Sequence, residues 1–530
     1  MLLRFLCFVL LAATVPAQEP RKPAEHLPGS FPIAGTVVHD LTGQPLPNVQ
    51  MSILRNWSPD ILQTVVSDDS GRFSFQVPQS GKYVLVAEAR GFQRQAWDEH
   101  GGFSTAVAVR EGKDSENIIF RLHPDASISG TVADEANEPV RDGQAMLFHQ
   151  APEEGRNTIR LRDRTQTDDQ GRYHFAHVPA GTCFVAVWAR PWYAQVRPVQ
   201  APAPAGDSSS REVAYPVTYY SGATESAAAT PIMVKPGDRV TADVALTPVP
   251  TLQVKVTGDE QNPDSIFVTQ NVFGEPASGI EAQTERTPNG DIFLTGLPPG
   301  QYVLNINTDG EVSTGWHQTM NLSGNTEVQA KRVMPVTVKG TVSPIDATAT
   351  GGVINLTNHS TGYSSTVRIS NSGEFLLSDD SMTAGAYEVS ILNVRDVVIS
   401  SITATGAAVK GRTIEVSRNT PAVLKVALSR GLGRIDGTAM HGDKPVTGAM
   451  IVLVPEDVDN NRSLIRRDQS DSDGTFTLPA VLPGNYTVIA LQNGWDMDWQ
   501  SVAALAPYVK GGKAVSVATN GKYEVKVVVQ

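Results

Sequence analysis

The sequence predicts an all-β protein made of five β-sandwich units in tandem, and three observations lead to this fold class. A turn motif, Gly-x-aromatic followed after roughly ten residues by another Gly-x-aromatic, occurs five times at intervals of roughly 80 to 120 residues. Around each copy apolar and polar residues alternate with the period of two that is typical of half-buried strands. No sustained helical periodicity is found. Tandem sandwiches account for all three observations.

The glycines of the motif are predicted to be structural turn residues. A hairpin loop of three to four residues needs one position with positive φ, which glycine adopts freely. The aromatic residue two positions later then points into the sandwich, where its burial is worth roughly 2 to 3 kcal/mol. The ten turn glycines are Gly71, Gly81, Gly171, Gly181, Gly290, Gly300, Gly373, Gly385, Gly474 and Gly484.

The chain of 530 residues divides into five units of about the size of an ordinary domain. The predicted units span residues 32–123, 124–249, 250–334, 335–430 and 431–530, and the second is lengthened by a proline-rich insertion. In four of the five units, the first strand has a glycine at the same aligned position, directly before a threonine. Glycine weakens a strand, so its repeated use predicts a bulge or a close backbone approach there.

The first residues are predicted to direct export. Residues 1–17 combine Arg4, a short apolar run and the small residues around Ala17, which is the pattern of a cleaved signal peptide. A retained membrane anchor is the alternative, but the run is shorter than the ~20 residues that a bilayer span needs. Residues 18–31 form a proline-rich linker. We therefore expect an exported protein, periplasmic or extracellular at the cell surface, with no membrane span after cleavage.

Composition narrows the classes of partner. The net charge of −12 is spread without long runs of one sign, which argues against nucleic acid and against an anionic membrane surface. After cleavage one cysteine remains, Cys183, and its apolar neighbours predict a buried, inert thiol.

The strand, the turn ending in proline, the Asp-x-x-Gly-x-Phe motif and the Gly-x-Tyr-x-Val motif together resemble the carboxypeptidase regulatory-like domain. The likeness is close in units one, two and five, partial in unit four and weak at the start of unit three. It implies seven-stranded transthyretin-like sandwiches, of the prealbumin-like and immunoglobulin-like kind. Such modules occur beside peptidases, ahead of outer-membrane transporters and in surface adhesins, and their broader class is a carbohydrate-binding-like sandwich, so the resemblance specifies fold better than function.

No complete catalytic set is present in the sequence. No histidine is followed by glutamate three residues later, and the Gly-x-Ser-x-Gly and phosphate-loop motifs are absent. We therefore expect no enzyme activity, no catalytic residues, no cofactor and no metal. Enzyme activity would require a set of catalytic residues brought together from different units.

Two weaker metal patterns have simpler explanations. His174 and His177 could share a metal, but alternate positions on a half-exposed strand explain them better. Residues 471–474 and 457–461 are similar to calcium loops, yet neither has the full ligand series, and Arg462 stands where such a loop requires glycine. Ordinary turns are the favoured interpretation.

Aromatic residues near the ends of the units are the candidate contact residues. A flat ring at a sandwich rim can stack on a sugar or anchor a partner protein, since both use a large rigid area with a polar edge. The alternative is that these rings fill the open ends of each sandwich, as we expect for Trp188. The candidates are Trp192, Tyr193, Tyr219, Tyr220, Trp316, Trp495 and Trp499. We expect a non-catalytic, multidomain carbohydrate-binding protein or, alternatively, a structural or adhesive protein that recognises other proteins of the cell envelope.

Overall fold

The computed structural model describes seventeen stretches of the chain. They are residues 30–55, 58, 60–111, 115–153, 156–190, 213–258, 265–277, 282–287, 291–308, 314–330, 335–345, 351–361, 363–379, 382–394, 397–497, 499 and 501–530. Antiparallel and mixed β-sheets make up nearly all of the regular structure in these stretches. The predicted all-β fold class is confirmed.

The strands form five consecutive sandwiches, which we number 1 to 5. Sandwich 1 contains β1 Phe31–His39, β2 Gln50–Arg55, β3 Ile61–Val66, β4 Arg72–Val77, β5 Gly81–Glu88, β6 Gln95–Ala96, β7 Val107–Val109 and β8 Ile118–Leu122. Its sheets have the orders β4-β1-β8 and β3-β2-β5, with β6 and β7 both beside β5. Seven strands form the expected framework, and the two-residue β6 is an addition.

Sandwiches 2 and 3 follow the same plan. Sandwich 2 contains β9 Ala126–Ala133, β10 Gln144–Glu153, β11 Arg156–Gln166, β12 Arg172–Val178, β13 Gly181–Trp188, β14 Val213–Ala214, β15 Thr218–Tyr219, β16 Ile232–Val234, β17 Arg239–Thr241 and β18 Val244–Ala245, and β19 Val249–Pro250 pairs with β14. Sandwich 3 contains β20 Leu252–Gly258, β21 Ser265–Val272, β22 Glu275–Ala277, β23 Gln283–Arg286, β24 Ile292–Leu297, β25 Gly300–Thr308, β26 Thr314–Leu322 and β27 Thr326–Ala330. The predicted boundary after residue 249 falls inside β19, and the unit boundaries as a whole stay a prediction.

Sandwiches 4 and 5 complete the chain. Sandwich 4 contains β28 Val336–Ser343, β29 Val353–Thr357, β30 Ser364–Arg368, β31 Glu374–Asp379, β32 Gly385–Leu392, β33 Val398–Thr405, β34 Ala408–Lys410, β35 Thr413–Val416 and β36 Ala422–Ser429. Sandwich 5 contains β37 Gly433–His441, β38 Lys444–Pro445, β39 Met450–Pro455, β40 Arg466–Gln469, β41 Thr475–Val481, β42 Gly484–Leu491, helix α1 Val502–Val509, β43 Lys513–Val517 and β44 Lys522–Val528. Short 3-10 turns lie at Ser226–Ala228, Arg462–Leu464 and Gly494–Asp496.

One pairing pattern is shared by all five sandwiches. The first strand pairs antiparallel with the strand after the repeated turn, and parallel with strands from the end of the sandwich, as β1 does with β4 and β8. The first and last strands of each unit therefore lie side by side in one sheet.

The glycine of the first strand lies where two backbones approach closely. A Cβ atom on Gly35 would fall on the carbonyl oxygen of Ile118 in the last strand of sandwich 1. The same conflict with a backbone carbonyl oxygen would arise at Gly130, Gly340 and Gly437. The close backbone approach predicted from sequence is present, and any side chain there would push the parallel strands apart.

The first glycine of the repeated turn has positive φ in every described copy. The values are 71° at Gly71, 69° at Gly171, 84° at Gly373 and 77° at Gly474. Gly290 lies outside the described residues. Of the second glycines, Gly181, Gly300, Gly385 and Gly484 have φ of 124°, 157°, 148° and 158°, whereas the φ of Gly81 is not positive.

Sandwiches 2 and 3 share one apolar core. Phe273, in the turn after β21, lies with its ring centroid 5.1 Å from that of Phe148, 5.0 Å from Phe184 and 5.2 Å from Tyr219. These three rings belong to the outer face of a sandwich 2 sheet and join the cluster that forms the interior of sandwich 3. The two sandwiches are therefore held together by continuous apolar burial.

Sandwiches 4 and 5 meet through buried polar groups. Glu388, which is 3% exposed, accepts a hydrogen bond of 2.8 Å from the backbone amide of Ser463 and lies 2.7 Å from His359 Nε2. Burial opposes ionisation of Glu388, but its hydrogen bonds to His359 and Ser463 outweigh this and hold its pKa below the ordinary value. The backbone amide of Arg412 donates to the carbonyl oxygen of Asn460 across the same junction, at 3.0 Å.

Helix α1 was not predicted, because its eight residues are too few to produce a sustained helical period. It begins after Ser501, whose hydroxyl accepts a hydrogen bond from the amide of Ala504, and it contains Pro507. It covers the outer face of the sheet β40-β39-β42-β43, where Leu505 joins a second apolar cluster of sandwich 5. This outer cover explains why β39 is buried on both faces. Among the described residues, no helix combines the length and apolar character needed to cross a membrane.

Candidate functional site

The first and last sandwiches contact each other through copies of the repeated motif. Asp471 Oδ1 accepts the amide of Ala106 at 3.0 Å, and Ser472 Oγ accepts the amide of Ala108 at 2.9 Å. The amide of Ser472 donates in return to the carbonyl oxygen of Ala106, also at 2.9 Å. The turn of sandwich 5 thereby binds the edge of sandwich 1 at and beside β7.

An ion pair reinforces this contact. Lys82, the residue after Gly81 in the first copy of the motif, pairs with the carboxylate of Asp471, which is 4% exposed. The equivalent residues Asp68 and Asp168 are exposed, and each accepts hydrogen bonds from amides of its own turn. The fifth copy of the turn thus has a role between sandwiches that the first two copies lack.

A second group of hydrogen bonds lies beside the turn. Gln469 Nε2 lies 2.5 Å from the carbonyl oxygen of Asp98 and 2.8 Å from Thr105 Oγ1. Thr105 donates to Asp98 Oδ2 at 2.8 Å. Gly448 makes room for this carboxylate, since a Cβ atom there would lie 2.5 Å from Asp98 Oδ2.

Two of the predicted contact residues lie at this junction. The ring of Trp495 stacks on His100 of sandwich 1, with centroids 5.1 Å apart and an interplanar angle of 11°. Trp495 also faces Phe103, and the guanidinium carbon of Arg467 lies 4.9 Å from the Phe103 centroid and 4.0 Å from that of Trp499. Trp495 and Trp499 are therefore both partly covered from within the molecule.

The other predicted contact residues lie elsewhere. Tyr219 is 3% exposed in the core shared by sandwiches 2 and 3, and burial raises its pKa to about 12. A ring in that position offers no face to a ligand. Tyr220 is half-buried against the core of sandwich 2. Trp192 and Tyr193 lie outside the described residues, as does the side chain of Trp316, whose backbone belongs to β26.

A polar cleft of about 660 Å³ opens beside the Lys82–Asp471 ion pair. Sandwich 1 contributes Arg55, Gln79, Ser80, Gly81 and Lys82, and sandwich 5 contributes Arg434, Asp436, Gly437, Thr438, Asp473, Thr475, Phe476, Thr477 and Glu524. Three basic and three acidic side chains line it, so its formal charges balance. No single sandwich forms this cleft alone.

Hydrogen bonds fix the side chains of the cleft. Arg434 Nε donates to both carboxylate oxygens of Asp436, at 2.9 and 2.7 Å, and Thr477 Oγ1 donates to Asp436 Oδ1 at 2.8 Å. The hydrogen bond from Arg434 lowers the pKa of Asp436, so this carboxylate is ionised at neutral pH. On the opposite wall Arg55 donates to Gln79 Oε1 at 2.9 Å.

Two further carboxylates lie behind the cleft wall. Burial raises the pKa of Asp468 to about 6, although the amide of Thr477 donates to it at 2.7 Å. Burial also raises the pKa of Asp471, a shift that the ammonium group of Lys82 opposes. At this junction the pKa of Asp436 is therefore lowered, whereas the pKa values of Asp468 and Asp471 are raised.

The metal patterns considered from sequence have other contacts. Within the described stretches, no group of three or more histidine, cysteine, aspartate and glutamate side chains is placed to hold a metal ion. His177 Nδ1 lies 2.8 Å from a carboxylate oxygen of Asp125. Cys183 is fully buried, which raises its pKa to about 11.

Sequence reasoning did not identify Lys82, His100, Phe103 or Arg467. Lys82 and Asp471 belong to motif copies that the sequence does reveal, but the contact joins units at opposite ends of the chain. The one difference visible in the motif is that the fifth copy has Asp473 directly before its glycine, where the first two copies have Ser70 and Gln170.

Comparisons with known proteins identify one module of the chain. Residues 32–123 match the family model of the carboxypeptidase regulatory-like domain. This range coincides with the first predicted unit, and the resemblance stated from sequence is confirmed there. No curated protein matches the chain.

Several solved structures are similar to parts of the chain. The TIE protein of Bacillus anthracis shares 11% identity, with 95% of this chain and 75% of that chain covered and a TM-score of 0.17. The shaft pilin SpaA of Lactobacillus rhamnosus GG shares 10% identity, with 42% and 98% covered and a TM-score of 0.19. The minor pilin of Streptococcus agalactiae shares 11% identity, with 36% and 94% covered and a TM-score of 0.18. At these scores the functions of those proteins are not transferred to this chain.

Proposed function

We propose that this chain is an exported, non-catalytic binding protein and that its ligand is a carbohydrate bound in the polar cleft between sandwiches 1 and 5. The observation that supports this function best is the composition of the cleft. Paired cations and anions from two sandwiches line one concave space whose formal charges balance. Its volume lies within the roughly 300 to 1,000 Å³ of ordinary ligand sites.

The chemistry of the lining suits a ligand with many hydroxyl groups. A hydroxyl both donates and accepts, so it can bridge a guanidinium or ammonium group and a neighbouring carboxylate. Arg434 with Asp436 offers such a pair on one wall, and on the other wall Arg55 with the side-chain amide of Gln79 offers further donors and an acceptor. Hydrogen bonds to ionised groups are about twice as strong as those between neutral groups. A strongly charged ligand would be repelled by three of the six charged side chains in the lining.

The proposed sugar site differs from the one expected from sequence, because most of the aromatic residues predicted to contact the ligand lie outside the polar cleft. Tyr219 is buried, and Trp495 and Trp499 are partly covered by His100 and Arg467. Phe476 lines the cleft but is 1% exposed, so polar contacts and not ring stacking would dominate binding.

The test is a glycan-array screen of the mature chain followed by isothermal titration with the best glycan. Arg434→Met and Glu524→Gln alter the cleft, whereas Arg72→Met changes an exposed arginine outside it and serves as the control. We expect the two cleft variants to weaken binding about tenfold or more, a loss of about 1.4 kcal/mol, and the control to bind normally. An absence of glycan binding, or equal effects in all three variants, would remove the proposal.

A second function, recognition of another envelope protein, is favoured by the edge strand β3. Ile61, Leu62 and Val66 are 56%, 52% and 61% exposed, and β3 carries no charged residue. The edge strand β40 of sandwich 5, by contrast, contains Arg466, Arg467 and Asp468. Charged side chains protect edge strands from pairing, so β3 is better suited to accept a strand from a partner.

This second function can be tested by site-specific photo-crosslinking in cells. A photoreactive residue at position 64 of β3 should yield a defined adduct, and one at position 366 of the exposed edge strand β30 should not. Equal labelling from the two positions would argue against strand addition at β3.

A further inference from the structure

Sandwich 5 contains a second cleft whose chemistry differs from that of the polar cleft. It has a volume of about 800 Å³ and lies between helix α1 and the ends of β39, β42 and β43. Its lining is predominantly apolar. The helix contributes Val502, Leu505, Ala506, Val509 and the adjoining Lys510, and the sheet side contributes Val454, Pro455, Glu456, Val458, Asn485, Tyr486, Thr487, Ala514, Val515 and Ser516.

The cleft lies where two apolar clusters meet. Tyr486 and Val515 belong to the core between the sheets of sandwich 5, whereas Val454 and Leu505 belong to the cluster between the sheet and α1. All four are less than 10% exposed. A ligand inserted here would therefore contact apolar side chains on both sides, which is the condition for burying most of its own surface.

Helix α1 closes the cleft only in part. Of its eight residues Leu505 alone is buried, and Val502, at the cleft, is 37% exposed. Pro507 removes a backbone hydrogen-bond donor from the helix interior. The helix therefore leaves a concave space open beside the sheet, with apolar side chains along its wall.

Polar groups gather on the sheet side of the lining and at the end of the helix. Asn485 Nδ2 donates to Glu456 Oε2 at 3.1 Å, and Ser516 Oγ donates to Asn485 Oδ1 at 2.5 Å. Lys510 follows the helix and supplies one positive charge to the lining, which Glu456 balances. The cleft thus has an apolar wall, hydrogen-bonding groups at one side and no net charge. These properties match a single-chain amphiphile, which has an apolar chain and a polar head group.

We propose that the cleft beneath α1 binds an aliphatic chain of a single-chain amphiphile whose head group has no net charge. The chain would lie among Val454, Leu505 and Val515. The head group would hydrogen-bond to Asn485 and Ser516 and would avoid a net charge that either Glu456 or Lys510 would repel. This site is separate from the polar cleft, and neither proposal depends on the other.

The test uses the full mature chain and the neutral fluorescent probe 1-N-phenylnaphthylamine, displaced by monolauroylglycerol below its micelle concentration. Ala506→Trp places a large ring in the cleft, whereas Ala503→Trp makes the same change at an exposed position of the same helix outside the lining. We expect Ala506→Trp to weaken probe binding about tenfold or more and Ala503→Trp to leave it within about twofold. Ala514→Trp, on β43, should act as Ala506→Trp does.

The outcomes separate the parts of the proposal. No probe binding by the wild-type chain, or equal effects of the two helix variants, would overturn the site. Displacement by laurate as effective as that by monolauroylglycerol would overturn the head-group assignment. Unchanged probe binding by Arg434→Met would support two independent sites, and unchanged circular dichroism of Ala506→Trp would show that its loss is not caused by misfolding.

Discussion

Lys82 and Asp471 form an ion pair between the first and the last sandwich, although three whole sandwiches separate them along the chain. Each residue belongs to a copy of the repeated motif, and the hydrogen bonds of Ala106 and Ala108 to the same turn surround the pair. Contrary to the hairpins predicted from sequence, the repeated turn links strands of different sheets in sandwiches 1, 2, 4 and 5, and only in sandwich 3 do the flanking strands β23 and β24 pair with each other. In sandwich 5 the same turn also contacts sandwich 1.

We expect Asp471→Asn to separate sandwiches 1 and 5. The variant leaves Lys82 without its partner at a site where Asp471 is 4% exposed. The expected cost is about 2 to 3 kcal/mol, less than for a fully buried pair because Lys82 is partly exposed. Small-angle X-ray scattering should show a larger radius of gyration. Asp168→Asn, the same change in the exposed turn of sandwich 2, should leave the radius unchanged.

We expect Phe273→Ala to uncouple sandwiches 2 and 3. Removing this ring opens a cavity among Phe148, Phe184 and Tyr219 and should cost about 3 to 5 kcal/mol. Urea denaturation should then resolve separate transitions for the two sandwiches. The control is Phe267→Ala, since Phe267 is 45% exposed on β21 of the same sandwich. A single cooperative transition in the Phe273 variant would contradict a shared core.

Glu388 should make the junction of sandwiches 4 and 5 sensitive to acid. Burial raises its pKa, but the hydrogen bonds from His359 and Ser463 lower it by more, so its pKa is lower when folded than the roughly 4.3 of an unfolded chain. Its stabilising contribution is then complete above that unfolded pKa and is lost as the pH falls through the folded pKa.

The measurement is the free energy of unfolding at pH 7, 4 and 3 for the wild type and for Glu388→Gln. The wild type should lose more stability on acidification than the variant, because glutamine has no proton to bind. Glu415→Gln, at an exposed position on β35, should follow the wild-type curve. Parallel acid curves for Glu388→Gln and the wild type would contradict the assignment.

We expect Gly474→Ala to destabilise sandwich 5 more than Gly442→Ala does. Both glycines have positive φ, 77° and 59°, so both variants incur about 1 to 2 kcal/mol of backbone strain. A Cβ atom at Gly474 would also lie 2.5 Å from Pro445 Cβ, whereas Gly442 has open space around it. Thermal unfolding should place the two variants at least about 1 kcal/mol apart.

The parts of the fold that the sequence predicted are those with a local signature. Gly71, Gly171 and Gly474 mark turns by their own backbone requirement, and the alternation after each turn marks the strand. Gly35 and its counterparts indicated a bulge or a close backbone approach, because glycine otherwise weakens a strand, and the structure shows the close approach. These features depend on a few neighbouring residues and can be read without knowledge of the rest of the chain.

The parts that were not predicted depend on contacts between distant residues. Helix α1 is stabilised by apolar contacts of Leu505 with the sheet, and its own sequence is too short to show a period. Trp495 has polar neighbours that suggested exposure, yet its ring stacks on His100 from another sandwich. Neither contact can be predicted from the spacing of residues along the chain.

The parallel pairing of the first and last strands within every sandwich has a mechanical consequence. A pulling force applied through the two ends of a unit such as sandwich 1 would act along β1 and β8 in opposite directions. The hydrogen bonds between these strands would then be loaded together in shear instead of being peeled apart one after another. A unit loaded in this way would resist extension until its terminal pair of strands ruptures at once.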